Sequence, residues 1–300
     1  MASVLSENPV MGGRDGLTED ISEFEHVRRK HIGRYASAAL IVALVSWVVL
    51  AFAHGRIEWA IVGQYLAVRS IVSGLGSTVL MTTSAMLLGV SIGVTVAIMR
   101  LSVNPVINWV AAGYVWFFRG TPVLLQLLLW FNLALVFPTL GIPGLLEVPT
   151  VEVMTPFLAA LLGLGINQGA YTSEVVRAGL LSVDQGQYEA AKAIGMPRLQ
   201  ALRRIILPQA MRVIVPPIGN ELIGMVKLTS LASVIQFPEI VYSAENIYYA
   251  NNRVIELLIV AGIWYVVVVT VLSTLQGRIE RYFARGAGAS GAITRAGAST

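Results

Sequence analysis

The sequence predicts an all-α polytopic membrane protein, a bundle of spanning helices, and three observations carry that prediction. Hydrophobic residues make up 56% of the 300-residue chain and charged residues 13%, about half the charged share of an ordinary soluble domain. The mean hydropathy is +0.72. The apolar residues gather in runs of the ~20 needed to cross a bilayer as helix, and basic residues flank those runs.

Residues 1–34 are polar and carry Glu7, Asp15, Glu19, Asp20, Glu23 and Glu25. They lack the early apolar core of a secretory signal and read as a disordered cytoplasmic tail. The first span covers Tyr35 to Ala53, behind Arg28, Arg29, Lys30 and Arg34. The second runs from Val72 to Met99 and stops at Arg100. The third is Pro122 to Phe137. A shorter apolar stretch before it, Val106 to Phe118, either lies on the cytoplasmic side or re-enters the membrane partway. The fourth span is Thr155 to Val176, and the fifth, Met211 to Ile235, is interrupted by polar residues. The sixth is Val254 to Leu275, followed by Arg278, Arg281 and Arg285. Residues 286–300, rich in Gly, Ala, Ser and Thr, read as a disordered tail.

Six spans put both termini on one side. Of the 21 Lys and Arg, Arg56, Arg69 and Arg253 lie opposite that side, Lys227 lies within a span, and the rest share it. Positive residues resist translocation, so the N and C termini are expected in the cytoplasm. The same distribution argues against a nucleic-acid partner despite a net charge of +4, because the basic residues build no single face. The chain has no cysteine, which excludes disulfides, thiolate metal sites and a Cys nucleophile. Its three histidines, His26, His31 and His54, lie outside the apolar runs. No metal or cofactor is expected.

The loop 182–207 differs from the others. Gln187 to Ile194 are good helix formers, and Gly195 stands where a C-terminal cap would. Pro197 suits the first turn of a second helix, whose Leu199, Leu202, Ile205 and Ile206 follow helical spacing. Two short helices about a glycine hinge form a cytoplasmic knob, which reads as a docking element. A chance Ala-rich helix is the plainer alternative. The only lysines are Lys30, Lys192 and Lys227, and none follows a glycine. The chain therefore lacks the Gly-rich nucleotide loop, and an active transporter built on it must borrow its motor.

Glu189-Ala190-Ala191, then Gly195, Ile205 and Leu207-Pro208, resemble the EAA signature of permease subunits of bacterial ATP-binding cassette (ABC) importers. Further stretches resemble the polar amino-acid branch of that family. They are Phe118-Arg119-Gly120-Thr121-Pro122 with Gln126, Gly169-Ala170-Tyr171 with Glu174 and Arg177, and Gly186-Gln187. Leu207-Pro208-Gln209-Ala210, Pro216-Pro217 with Asn220, and Lys227 with Thr229-Ser230-Leu231 continue the series in register. The resemblance covers the chain from about Gly74 to Arg285.

The resemblance implies a five-span permease core over 72–285 plus one additional N-terminal transmembrane helix, 35–53, in the bacterial cytoplasmic (inner) membrane. It implies an ABC ATPase dimer, an extracytoplasmic solute-binding protein and a second permease subunit, identical or related, as partners. The substrate would be a polar amino acid. ATP hydrolysis would sit on the ATPase chain, so this chain would be no enzyme. Gly186, Gln187, Glu189, Ala190, Ala191, Gly195, Leu207 and Pro208 would couple the loop to the ATPase. Ala190 and Ala191 allow close helix approach, Glu189 offers a carboxylate, and Gly195 permits a sharp turn.

Ionisable groups at membrane depth are costly and usually face an interior. Lys227 and Glu221, with Asn220, Thr229, Ser230, Gln126, Asn167, Gln168 and Thr172, are the candidate substrate pathway. Lys227 would meet a carboxylate and a Glu an ammonium. The alternative is that Lys227 and Glu221 neutralise each other, or a neighbouring group, for packing alone. Glu174 and Arg177, near the cytoplasmic end, read as structural. Leu228 stands where relatives resemble Lys-Asp-Thr-Ser or Lys-Asn-Thr-Ser, which weakens the case for a basic amino acid. Thr121 is expected to N-cap a helix begun by Pro122, as a gate or a simple joint. Gly89, Gly93 and Ala97 repeat every four residues and favour close helix contact, including contact between two permease subunits. Two other classes stay open: a secondary transporter driven by an ion gradient, and a membrane-embedded enzyme, for which no nucleophile or acid–base cluster is at hand.

Overall fold

The computed structural model describes residues 32–142 and 146–284; both expected tails lie outside them, save that helix already begins at Ile32, ahead of the expected Tyr35. Two units divide the chain at Arg56. The first contains α1 (Ile32–Ala53), charged at Arg34 in its first turn and apolar around the helix beyond it. That pattern suits lipid on all sides.

The second unit holds eleven helices among the described residues: α2 (Trp59–Tyr65), α3 (Arg69–Arg100), α4 (Pro105–Gly120), α5 (Val123–Phe131), α6 (Thr150–Val153), α7 (Pro156–Leu181), α8 (Gln185–Ala193), α9 (Arg198–Ala201), α10 (Leu207–Leu228), α11 (Ile240–Asn251) and α12 (Val254–Ala284). Between α5 and α6 a small antiparallel hairpin pairs β1 (Thr139–Ile142) with β2 (Leu146–Pro149), in register Leu140 to Val148. The all-helical expectation missed this hairpin. It also missed α2 and α11, which are too short and too polar to stand out as spans.

Four described stretches are long and apolar enough to cross a membrane: Gly33–Ala53, Arg69–Arg100, Arg198–Ile235 and Val254–Phe283. α4 and α5, bent by 101° to each other, make a fifth if the pair is counted as one span. α7 falls outside this set because its middle is polar and glycine-rich, yet its 26 residues extend ~39 Å. Its polar face is buried by its neighbours, as Asn167, Gln168, Thr172 and Ser173 show.

Val106 to Phe118, expected on the cytoplasmic side or re-entering partway, forms α4, and α4 and α5 together follow α7 from one end to the other. α4 begins where Arg100 donates from Nη1 to Asn108 Oδ1 at 2.7 Å, close to Glu174 near the C-terminal end of α7. After α5, the Thr150 N–H donates to the Pro138 carbonyl at 2.9 Å, just before the N-terminal end of α7. Entry and exit lie at opposite ends of one spanning helix. The pair crosses.

α3 and α7 form the closest helix pair. A Cβ on Gly89 would stand 2.7 Å from Gln168 Cγ, and one on Gly93 2.7 Å from Thr172 Cβ. Gly89, Gly93 and Ala97 are all buried within this chain. Their repeat therefore serves α7, and the expectation of a contact between subunits is corrected.

The knob of residues 182–207 is also simpler than expected. α9 and a π-helical turn, Leu202–Ile206, run directly into α10. Only α8 is a separate helix; the second half of the knob is the foot of a span. Beneath it Ala97, Val176, Val183, Ile206, Ala210 and Ile214 form one apolar core shared by α3, α7 and α10.

Candidate functional site

α8 is built at both ends by its own sequence. Asp184 Oδ1 accepts the Gly186 N–H at 2.8 Å and caps the start. At the other end the Gly195 N–H donates to Lys192 O and the Met196 N–H to Ala191 O, each at 3.0 Å. This pair of bonds needs a left-handed residue between them, and Gly195 supplies it at φ +70°. The Tyr188 hydroxyl donates to Leu180 O at 3.1 Å and holds α8 against the end of α7. Gln209 Nε2 reaches Gln187 Oε1 at 3.3 Å from α10.

Gly186, Gln187, Glu189 and Ala190 are exposed, as are Leu207 and Pro208. Ala191 is buried. It faces inward, so close approach to an outside partner falls to Ala190. Exposed Ile194, Leu199 and Leu202 lie on the same knob.

The nine expected pathway residues separate into three groups. Glu221 of α10 meets Gln168 and Thr172 of α7. Gln168 Nε2 donates to Glu221 Oε2 at 2.7 Å, and the Thr172 hydroxyl donates to the same oxygen at 2.9 Å. Gln168 lies midway along α7, so this carboxylate sits near the bilayer centre. An acidic residue there costs an estimated ~2.5–3.5 kcal/mol on insertion scales, and two donors from one neighbouring helix offset part of it. Gly89 and Gly93 leave the room that Gln168 and Thr172 occupy.

Asn220 and Lys227 form the second group. Seven residues apart, they fall on one exposed stripe of α10. Among the described residues Lys227 takes part in no ion pair; those present join Glu174 to Arg100 and Arg177, and Glu58 to Arg253. Six helical residues separate Lys227 from Glu221, which turns them to different faces. Mutual neutralisation is thereby corrected. Leu228 packs against the core that contains Met225 and Ile235, away from the open stripe.

The third group satisfies backbone. Gln126 Nε2 donates to Phe118 O and Thr121 O, each at 3.2 Å, and to the Thr121 hydroxyl at 2.7 Å. Asn167 Nδ2 donates to Phe118 O at 2.7 Å. Both amides close the carbonyl end of α4 at its bend. The Thr121 hydroxyl donates back to Phe117 O at 2.9 Å, and Pro122 takes the N-cap position of α5. Thr121, extended at the end of α4, serves the helix behind it, not the one ahead. The Thr229 hydroxyl donates to Val226 O at 2.7 Å and that of Ser230 to Lys227 O at 2.6 Å.

One polar cluster escaped the sequence reading, and a second adds Arg100 and Asn108 to the Glu174 and Arg177 already read as structural. Glu239, fully buried, N-caps α11 by accepting the Tyr242 N–H at 2.8 Å and takes the Tyr265 hydroxyl at 2.6 Å. Its only local signal is an acidic residue just before a helical run. Arg100, Asn108, Glu174 and Arg177 make the other cluster, across α3, α4 and α7.

Residues 85–285 match the family model described as "Binding-protein-dependent transport system inner membrane component". The chain is 40% identical over 260 residues to the arginine transport system permease protein ArgU of Corynebacterium glutamicum, covering 86% of this chain and 82% of that protein. It is 37% identical over 206 residues to the nopaline transport system permease protein NocM of Agrobacterium fabrum, covering 68% and 84%. Among solved structures, an amino acid ABC transporter crystallised with histidines aligns with a TM-score of 0.62 at 37% identity, over 71% of this chain and 94% of that one. A membrane-crossing bundle of this build, matched over two thirds of its length, identifies the chain as a member of the binding-protein-dependent transport system inner membrane component family, the multi-pass permease subunits of ABC transporters.

Proposed function

We propose that this chain forms the membrane pathway of an ATP-driven importer for a polar amino acid, with arginine the first solute to test. The relative named for arginine transport, 40% identical over most of both chains, supports that choice. The observation that carries the mechanism is α8: an exposed helix, capped at both ends, standing on an apolar core that α3, α7 and α10 share.

A separate ATPase dimer docks at α8 through Gly186, Gln187, Glu189 and Ala190, and its closure pushes on that core. Gly195 fixes the end of α8, and Leu207 and Pro208 form the foot of α10. Solute arrives from an extracytoplasmic binding protein and passes the open stripe of Asn220 and Lys227, beside Glu221. A second permease subunit, identical or related, faces that stripe. Nucleotide-driven switching between two bundle arrangements gives each face access in turn. The loop and both termini lie in the cytoplasm, as the basic residues favour. Intramembrane charge alone is equally compatible with an ion-gradient-driven transporter, but membership of this family leaves that alternative without support.

The test is uptake into proteoliposomes containing the chain, its ATPase and its binding protein. Labelled arginine is expected to accumulate only when ATP is present on the ATPase side. Accumulation that needs no ATPase and vanishes with an ion gradient overturns the proposal.

A further inference from the structure

Glu174 and Arg177 stood out in the sequence, and the transport function proposed above uses neither. Glu174 lies on α7 toward the end that leads into α8. One of its oxygens, Oε2, accepts from Arg177 Nε at 3.1 Å and Nη2 at 2.7 Å. The other, Oε1, faces Arg100 Nε across 3.8 Å, beyond hydrogen-bond reach. Both atoms are buried and neither has a hydrogen-bond partner. A buried charged donor and a buried charged acceptor thus stand opposite each other with their bond unmade.

The position of Arg100 is set from α4. Its Nη1 donates to Asn108 Oδ1 at 2.7 Å, and Asn108 Nδ2 donates to Arg100 O at 3.1 Å. At the far end of α4 the Arg119 guanidinium lies 5.1 Å from the centre of the Tyr171 ring, one turn before Glu174. The backbones of α3 and α7 are held close by Gly89 and Gly93. A change in the distance between Arg100 and Glu174 therefore follows a tilt of α4, which carries the Arg100 side chain through Asn108.

We propose that Glu174 is a positioning residue of the transport cycle, shared between Arg177 beside the cytoplasmic loop and Arg100 at the start of the broken span. In this conformation it is committed to Arg177. In the alternate arrangement Oε1 closes on Arg100, and the inclined half of the broken span moves with it. A buried polar atom without a hydrogen bond is costly, so closing this contact favours that second arrangement. The inference rests on the importer reading and adds to it the contact by which loop motion reaches α4.

The experiment uses the complete transporter in proteoliposomes. Glu174→Gln and Arg100→Gln are each expected to lower uptake about tenfold, with solute-independent ATP hydrolysis and the yield of assembled complex within about twofold of wild type. The double variant is expected to fall no more than about threefold below either single, because both remove one contact. Uptake by Glu174→Gln within about twofold of wild type overturns the inference, as does a double loss equal to the product of the single losses. A fall in assembled complex that matches the fall in uptake also overturns it.

A second measurement leaves these residues in place. The chain has no cysteine, so exposed Asn104 and Ala178, changed together to Cys, report the approach of α4 to α7. Their cross-linking rate is expected to change at least about threefold between nucleotide-free and vanadate-trapped complexes. Equal rates overturn the inference. Wild-type uptake that needs no ATPase overturns the importer reading, whatever the variants do.

Discussion

Asn167 Nδ2 donates to the carbonyl oxygen of Phe118 at 2.7 Å, joining two helices across 49 residues of sequence. α4 ends within the membrane, where its last carbonyls find no water, and a polar side chain of α7 takes their place. Gln126 does the same from the next helix. The 101° bend stands because two amides hold it.

Asn167→Leu removes that donor and leaves the Phe118 carbonyl short of a partner. Interhelical hydrogen bonds in membranes are worth about 0.6 kcal/mol on average, up to about 1.7. A loss near the upper figure is expected, read as a lower unfolding temperature of the detergent-purified subunit. An unchanged transition would show that the bend needs no support from α7.

Gly93→Ala sets a Cβ 2.7 Å from Thr172 Cβ, whereas one on Gly76 meets nothing within 4 Å. Overpacking of a tight contact costs about 1–3 kcal/mol. The yield of monodisperse subunit is expected to drop for Gly93→Ala and to hold or rise for Gly76→Ala. Equal behaviour of the two would refute the close α3–α7 contact.

Gly195→Ala forces an L side chain to φ +70°. The left-handed conformation costs about 1–2 kcal/mol for a residue with a Cβ. The end of α8 is expected to fray, visible as faster proteolysis of the loop, and the affinity for the ATPase to fall about fivefold or more. Protection and affinity equal to wild type would remove α8 from the docking surface.

Lys227 makes no ion pair among the described residues, so the effect of Lys227→Gln on stability is expected to stay within about 0.5 kcal/mol. Its apparent affinity for solute in uptake is expected to weaken about fivefold or more. Glu221→Leu should reduce both, because two hydrogen bonds from α7 end on that carboxylate. A destabilised Lys227→Gln subunit with normal uptake would reverse the assignment.

The long spans were legible because a run of apolar residues has one physical use in such a chain. The cap at Gly195 was legible for a similar reason: its bonds are local, spanning five residues at most. Less could be read from polar residues inside spans. Glu221, Gln126 and Asn167 look alike in a hydropathy profile, yet one is a held carboxylate and two close a distant helix end. What separates them is the identity of the group across the contact, which lies 49 or more residues away for Glu221 and Asn167 and across a helix break for Gln126. The Gly89–Gly93 repeat showed that a neighbour comes close without showing which neighbour. Short α2, the hairpin and α11 were missed because interfacial segments need neither a long apolar run nor a strict period.

The seam between α3 and α7 has a mechanical consequence. Helices whose main chains touch through glycine have no side-chain layer to shear, so they behave as one beam. Whatever rearrangement opens the protein first to one compartment and then to the other leaves this beam intact. Its freedom must be spent at the kinked α4–α5 pair and along the proline-bearing α10.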